Sequence, residues 1–360
     1  MEKGLKPLNM GGLEVEVPII QGGMGVRVST SSLAAAVANC GAAGTIASVG
    51  LPPDTPENRT DIPKSCREFL VKDIVKARQL THGVIGVNIM VALSNYEDIS
   101  RAAANAGVDY IISGAGLPLR LPEYAEGTSA KLIPVISSGR GAEVVARTWK
   151  RRYNRVPDAV IVEGPLSGGH IGGHSIEELE AGDLTALEGS LKDVLDVMKE
   201  YGKDIPVIAA GGIFDGKDMA RFLKLGAKGV QIGTRFIATN ECSADAKYKQ
   251  LFVEAGEQDL VYIQSPVGMP AKVIRTKFVD EMLKGGRRPI SCNYQCLRTC
   301  DPSQAPFCIA KALIDAVEGD IDNAIVFASS YVARIKKIVS VKELIDEITG
   351  EAVKELAKSV

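Results

Sequence analysis

The sequence predicts a (β/α)8 barrel with a smaller, mainly helical C-terminal domain or lid, and three observations lead there. Eight short apolar runs recur between residues 17 and 233, most of them ending in Gly, Ser or Asn and followed by a helical stretch. The runs are continuously apolar instead of alternating, which marks parallel strands buried on both faces. Glycines gather at their C-terminal ends, where a barrel of this kind places its binding site.

Val17–Gln21 is the first run, and the Ala-rich stretch Ser31–Asn39 reads as its helix, with Ser31 or Ser32 able to cap it and Gly41 to end it. Gly44–Ser48 is the second, followed by a loop holding Pro52, Pro53, Pro56 and Pro63 and by a helix over 65–80. In that helix Phe69, Leu70, Ile74 and Ala77 recur at helical spacing. Val84–Ile89 is the third run, with Tyr96–Ala106 as its helix. Tyr110–Ser113 is the fourth. Leu132–Ser137 is the fifth, with a helix over 141–152. Ala159–Glu163 is the sixth, and after a longer loop its helix covers 187–201. Val207–Ala210 is the seventh, followed by a helix from Asp218 to Leu225, and Gly229–Gly233 is the eighth. Eight such units in about 225 residues are what a closed barrel requires; a doubly wound open sheet is the alternative that periodicity leaves standing.

After Phe236 the rhythm changes. The reading is therefore a barrel over 1–240, a helical and irregular domain over 241–330 above its mouth, and a C-terminal segment 331–360. Its amphipathic stretch, with Leu344, Ile345, Ile348, Val353 and Leu356, packs back on the barrel.

Composition narrows the function classes. Of 360 residues 46% are hydrophobic and 24% charged, with a net charge of −2, which fits neither disorder nor a fibrous repeat. No basic stripe marks a nucleic-acid partner, so a small-molecule substrate is expected. No window approaches the roughly 20 apolar residues of a membrane span, and Met1–Val17 lacks the apolar core of a signal peptide. Seven cysteines, an odd number, suit a reducing compartment, and the expectation is cytoplasmic. A homodimer is left open.

The seventh run ends in Ala210-Gly211-Gly212-Ile213 and the eighth in Gln231-Ile232-Gly233-Thr234. Loops after strands seven and eight of such barrels often hold phosphate, and glycines let backbone N–H groups approach it, with a following helix start adding its dipole. The other run ends are small and polar: Gln21-Gly22-Gly23-Met24, Asn88, Ser113 to Gly116, Ser137 to Gly139, and Glu163-Gly164. Such a ring leaves room for a flat phosphorylated heterocycle. FMN fits, and so does a purine; pyridoxal phosphate is disfavoured because no run ends in a lysine.

Of the three histidines, His82 precedes the third run, at the barrel bottom, and reads as structural. His170 lies among Gly168, Gly169, Gly172 and Gly173 in the loop after the sixth run, with no neighbouring side chains to pack it locally. It is the candidate catalytic residue, able to exchange a proton near neutral pH. His170 and His174 have i, i+4 spacing, but the glycines argue against a helix there, and no metal site is expected. Cys292, Cys296, Cys300 and Cys308 form a cluster that would share a face on a helix for its first three members. It lacks C-x2-C pairs and reads as reduced thiols.

Taken in order, Ile20-Gln21-Gly22-Gly23-Met24, Gly86-Val87-Asn88, Glu163 to Gly172, Ala210 to Ile213, Gln231 to Phe236 and Ser265 to Pro270 resemble the nitronate monooxygenase (2-nitropropane dioxygenase) family, which includes the FMN-dependent enoyl-ACP reductase II enzymes. The resemblance implies FMN at the barrel mouth, contacted by Gln21, Gly22, Gly23, Met24, Asn88, Glu163, Gly168, Gly169, Gly211, Gly212, Gln231, Ile232, Gly233 and Thr234. It also implies that His170 is the active-site histidine. The implied activity is oxidation of alkyl nitronates with oxygen. The alternative is an NAD(P)H-dependent reductase of the enoyl-ACP or quinone type. Glu163 stands where the monooxygenases usually carry Gln and the reductases often carry Glu, whereas Ser265 to Pro270 looks more like the monooxygenases.

Overall fold

All eight apolar runs form strands in a computed structural model, which describes residues 4–49, 55–181, 187–202, 204–292 and 294–358; Pro52 and Pro53 of the loop after the second run lie outside them. In chain order the strands are β1 (Leu8–Met10), β2 (Leu13–Val15), β3 (Ile19–Gln21), β4 (Gly44–Ala47), β5 (Ile85–Met90), β6 (Tyr110–Gly114) and β7 (Lys131–Ile136). They continue as β8 (Val160–Glu163), β9 (Gly169–His170), β10 (Val207–Ala210), β11 (Gly229–Ile232), β12 (Leu260–Gln264), β13 (Pro270–Ile274) and β14 (Val326–Phe327).

Eight of them run parallel in the order β3-β11-β10-β8-β7-β6-β5-β4. The ring closes where Ile20 bridges Ala43, with Gln21 N–H donating to Ala43 O at 2.9 Å and Ala43 N–H to Ile19 O at 2.9 Å. This is the (β/α)8 barrel, and the open-sheet alternative falls.

Its interior is filled, not hollow. Ile20, Tyr110, Ile112, Ile133, Ile161 and Ile208 form one buried cluster with Leu8, Met10 and Val15 of the β1–β2 hairpin, which stoppers the bottom. Tyr110 is the bulkiest of them. Its hydroxyl lies 2.7 Å from Thr45 Oγ1 and donates to Gly44 O at 2.9 Å. Only glycine fits opposite it: a Cβ on Gly86 would come within 2.2 Å of the ring. Gly86→Ala should therefore cost about 1–3 kcal/mol of stability by overpacking, seen as a lowered melting temperature. An unchanged melting temperature would mean that the ring has room to move aside.

The helices follow the sequence with shifted ends. The first, Ser31–Asn39, is not capped by Ser31 or Ser32: Thr30 is its N-cap without a side-chain bond to the helix, and Asp73 of the long helix that follows accepts from Ser31 N–H at 3.0 Å. That long helix starts at Ile62 instead of residue 65, because Asp61 caps it and a proline sits in its first turn. The C-terminal helix Val341–Ala357 begins with a Ser340–Glu343 capping box and lies on Gly216–Lys224, where a Cβ on Gly216 would meet Ile348 O at 2.3 Å. Among the described residues no helix is long and apolar enough to cross a membrane.

The stretch read as helical and irregular holds helices Ala246–Glu254, Lys277–Leu283 and Ile309–Val317, and also a sheet that the sequence reading did not give. β12, β13 and β14 pair antiparallel, and β9 joins them, His170 opposite Ala271 and Gly169 opposite Lys272. The loop carrying the candidate histidine is thereby tied to the C-terminal part above the mouth.

Candidate active site

The loop after β3 is braced from within. Gln21 is fully buried. Its side-chain amide donates to Ser29 Oγ at 2.7 Å and to Gly22 O, and its carbonyl accepts from Thr45 N–H at 3.0 Å. With its amide used in this way, Gln21 shapes the loop and leaves the backbone of Gly22 to Met24 to line the mouth. Gly22 N–H donates to Ile232 O at 2.8 Å, and a Cβ on Gly22 would meet Gly233 Cα at 3.3 Å. A Cβ on Gly23 would fall 2.3 Å from Asn88 Cβ, and Asn88 donates to Gly23 O at 3.2 Å. Met24 sulfur reaches over Gly233. Gln21 to Met24, Asn88, Ile232 and Gly233 are thus one patch. Ile232, with its side chain in the core, contributes backbone only.

The second patch is built on the turns after β8, β10 and β11. Gly211 and Gly212 both have positive φ, 87° and 79°, so the chain turns back on itself with consecutive residues in a conformation other side chains resist. Close approach reinforces this: a Cβ on Gly211 would meet Gly164 O at 2.7 Å and one on Gly212 would meet Leu166 Cβ at 2.9 Å. Gly168 lies equally close to the backbone of Ala328 and Ser329, and Ser329 N–H donates to Thr234 Oγ1 at 3.1 Å. Between the patches, Gln231 Oε1 is buried without a partner among the described residues, as is Ser167 Oγ. Buried polar atoms are rarely left unbonded, and two at one glycine-lined mouth are what a ligand with hydrogen-bonding edges would satisfy. One expectation fails here. The helix after β10 cannot lend its start to a phosphate, because Asp215 already accepts from Lys217 and Asp218 N–H there and is itself paired with Arg334.

His170 is better packed than its glycine neighbours suggested. Its ring meets the Phe327 ring at 5.0 Å between centroids, and Nε2 lies 2.8 Å from Ser265 Oγ. The packing comes from β14 and from the turn after β12, distant in sequence. Burial pulls its pKa down to about 4, so the imidazole is neutral at pH 7. Burial acts oppositely on Glu163 at the end of β8: its carboxyl has no partner among the described residues and is pushed up to about 7. Burial thus shifts both groups toward their neutral forms.

Lys272 carried no signal in the sequence. It is 3% exposed on β13, its ammonium bonded to Ser330 Oγ and Pro165 O and set 5.1 Å from the Tyr262 ring centre, with no carboxylate in reach among the described residues. Burial pulls it down to about 8. Ser330 N–H also donates to Leu166 O, the residue covering Gly212, so this cation stands one residue behind the glycine turns. Phe327 and Ser329 were equally unmarked, and Ser265 stood out only as the start of the Ser265 to Pro270 stretch. His82, at the barrel bottom, is exposed, and His174 lies 3.9 Å from Glu178. No helix carries Cys292, Cys296 and Cys300.

Comparison with known proteins agrees with this geometry. The family described as nitronate monooxygenase matches residues 6–351. A Mycobacterium tuberculosis protein, "(3aS,4S,5R,7aS)-5-hydroxy-7a-methyl-1-oxo-octahydro-1H-indene-4-carboxyl-CoA dehydrogenase", is 32% identical over 76% of this chain and 67% of its own length. A "Probable nitronate monooxygenase" of Bacillus subtilis is 27% identical over 94% of this chain and 96% of its own. The solved structure of FabK from Thermotoga maritima superposes with a TM-score of 0.74 at 30% identity, covering 96% of this chain and 95% of that one. A match along nearly the whole barrel and the sheet above it leaves one assignment: the chain belongs to the nitronate monooxygenase family and is an oxidoreductase.

Proposed function

We propose that this protein is an FMN-dependent oxidoreductase of the NAD(P)H-linked, thioester-handling kind. The observation that carries this reading is Glu163, a carboxyl at the barrel mouth with no partner among the described residues, whose pKa burial pushes up to about 7. The backbone of Gly22 to Met24, Asn88, Gly168 and Gln231 would lie along the flavin, and Gly211, Gly212, Gly233 and Thr234 would take its phosphate, with Lys272 as the cation behind them. FMN supplies a centre that accepts a hydride and returns it. Protonated Glu163 donates a hydrogen bond toward the mouth, and His170, steadied by Ser265, holds or moves a proton beside the substrate. A neutral imidazole flanked by a hydroxyl and a phenyl ring gives an anionic nitronate no cation, whereas it suits a neutral thioester. The relatives named as a CoA-thioester dehydrogenase and as FabK support the same choice.

Nitronate oxidation keeps one observation in its favour. A neutral His170 is in the protonation state of a base that removes the acidic proton of a nitroalkane. One experiment separates the two. Under anaerobic conditions the flavin absorbance of the purified protein should bleach with NADH or NADPH and stay unchanged with an alkyl nitronate. The reverse pattern would make it a nitronate oxidiser.

A further inference from the structure

Four of the seven cysteines fall within residues 292–308, three of them, Cys296, Cys300 and Cys308, packed at the edge of the core, and the flavin site uses none of them. Between Leu283 and Ile309 the described residues form no helix and no strand. Irregular segments this long are uncommon in compact domains unless function or a cross-link holds them. Its flanks are packed, with Phe307 buried against Phe278 and Arg288 bonded to Glu281 and Asn323. Leu297 bridges Leu93, Ser94 N–H donates to Cys296 O at 3.1 Å, and Arg298 N–H donates to Ala92 O at 3.1 Å, all on the loop after β5.

The four thiols come together in space. Cys296 is within electrostatic reach of Cys292, Cys300 and Cys308, and Cys300 is within reach of Cys292 and Cys308. They are no ordinary core residues, since Cys292 is exposed and the other three half-buried, whereas Cys66 and Cys242 elsewhere are buried singly. Between this segment and the mouth lies a cavity of about 330 Å³, lined by Cys296 on one side and by Cys66, Leu93 and Ser48 on the others. Ser48 Oγ, just after β4, is buried there without a partner among the described residues.

We propose that Cys292, Cys296, Cys300 and Cys308 ligate an iron–sulfur cluster that fastens this segment beside the barrel mouth. Four cysteine thiolates are the ligand set of such clusters. A single zinc ion would draw four sulfurs to within about 3.8 Å of one another, from tetrahedral geometry at a Zn–S distance near 2.3 Å. Among the described residues no group of His, Cys, Asp or Glu is drawn in tightly enough to hold one ion. A polynuclear cluster spreads its ligands further than one ion does. Each of the four thiols must give up its proton to ligate iron. Cluster binding exchanges those four protons for iron, so assembly weakens in acid. This inference is independent of the flavin, which other loops would hold.

The test is iron and acid-labile sulfide analysis of the full-length protein, purified without oxygen and treated with equal amounts of ferric and ferrous iron and with sulfide. The expected result is about four of each per chain, with an EPR signal from the dithionite-reduced protein distinct from flavin. Cys296→Ser should lose the iron and keep the flavin, while Cys66→Ser, across the cavity, keeps both. Should Cys296→Ser fail to fold, the exposed Cys292→Ser serves in its place. Wild-type protein that takes up no iron after this treatment, or that binds one zinc ion instead, overturns the proposal.

Discussion

Gly212→Val should yield a folded but colourless protein. The residue sits at φ 79°, a conformation that costs a β-branched side chain of order 1–3 kcal/mol. Its Cβ would also lie 2.9 Å from Leu166 Cβ, so the turn after β10 and the loop after β8 cannot both stay in place. Either movement withdraws the backbone N–H groups proposed to hold the FMN phosphate, and affinity should fall more than about 100-fold, or ~2.8 kcal/mol at 1.4 kcal/mol per factor of ten. Flavin-to-protein absorbance after gel filtration reads this directly. Gly127→Ala controls for backbone strain alone: its φ is 77°, but no atom lies within 4 Å of the added carbon. It should keep its flavin. A Gly212→Val protein with a full complement of flavin would move the phosphate elsewhere on the mouth.

The barrel was legible because each strand states its own burial. Val207–Ala210 is apolar throughout and is a strand with those ends, and Gly211-Gly212 marks its C-terminus by composition alone. The sheet above the mouth was not legible. β9 is two residues long and sits among glycines, β14 is two residues long, and β13 begins with a proline, so none has an apolar period to read. The same distinction governs the site. Glycine turns and strand-end polar residues announce themselves locally, whereas the environment of His170 is assembled from Ser265 and Phe327, about a hundred residues or more away. Hence the expectation that glycines would leave His170 unpacked was wrong in its reason, although the residue does lie at the mouth. Lys272 shows the limit most clearly. A lysine in Pro270–Ile274 looks like an ordinary strand residue, and only tertiary packing makes it a buried cation behind the glycine turns.

His170→Ala should retain flavin and lose about 10²- to 10⁴-fold in turnover, the usual size of a positioned proton-transfer group. More diagnostic is the pH profile. An ordinary histidine gains charge below pH 6.5, but His170 stays neutral down to about 4, so the rate should not fall between pH 7 and 5 on its account. Glu163 sets the other limb. Its carboxyl is protonated below about 7, and activity that uses it as a donor should decline as pH rises through 7. Glu163→Gln keeps a donor at every pH and should remove that decline. Stability follows the same two groups with opposite signs. The native state holds the Glu163 proton that the unfolded chain has released between pH 4.5 and about 7, so that contribution is lost as pH rises through the window. The unfolded chain binds a proton on His170 between pH 6.5 and about 4 that the native state refuses, so that contribution is lost as pH falls. Replacing either residue should therefore shift the pH of maximum stability, upward for Glu163→Gln and downward for His170→Ala. A profile that keeps a limb near 6.5 in Glu163→Gln and loses it in His170→Ala would instead place a solvated, ordinary histidine at the mouth, and with it a site open enough to admit a charged substrate.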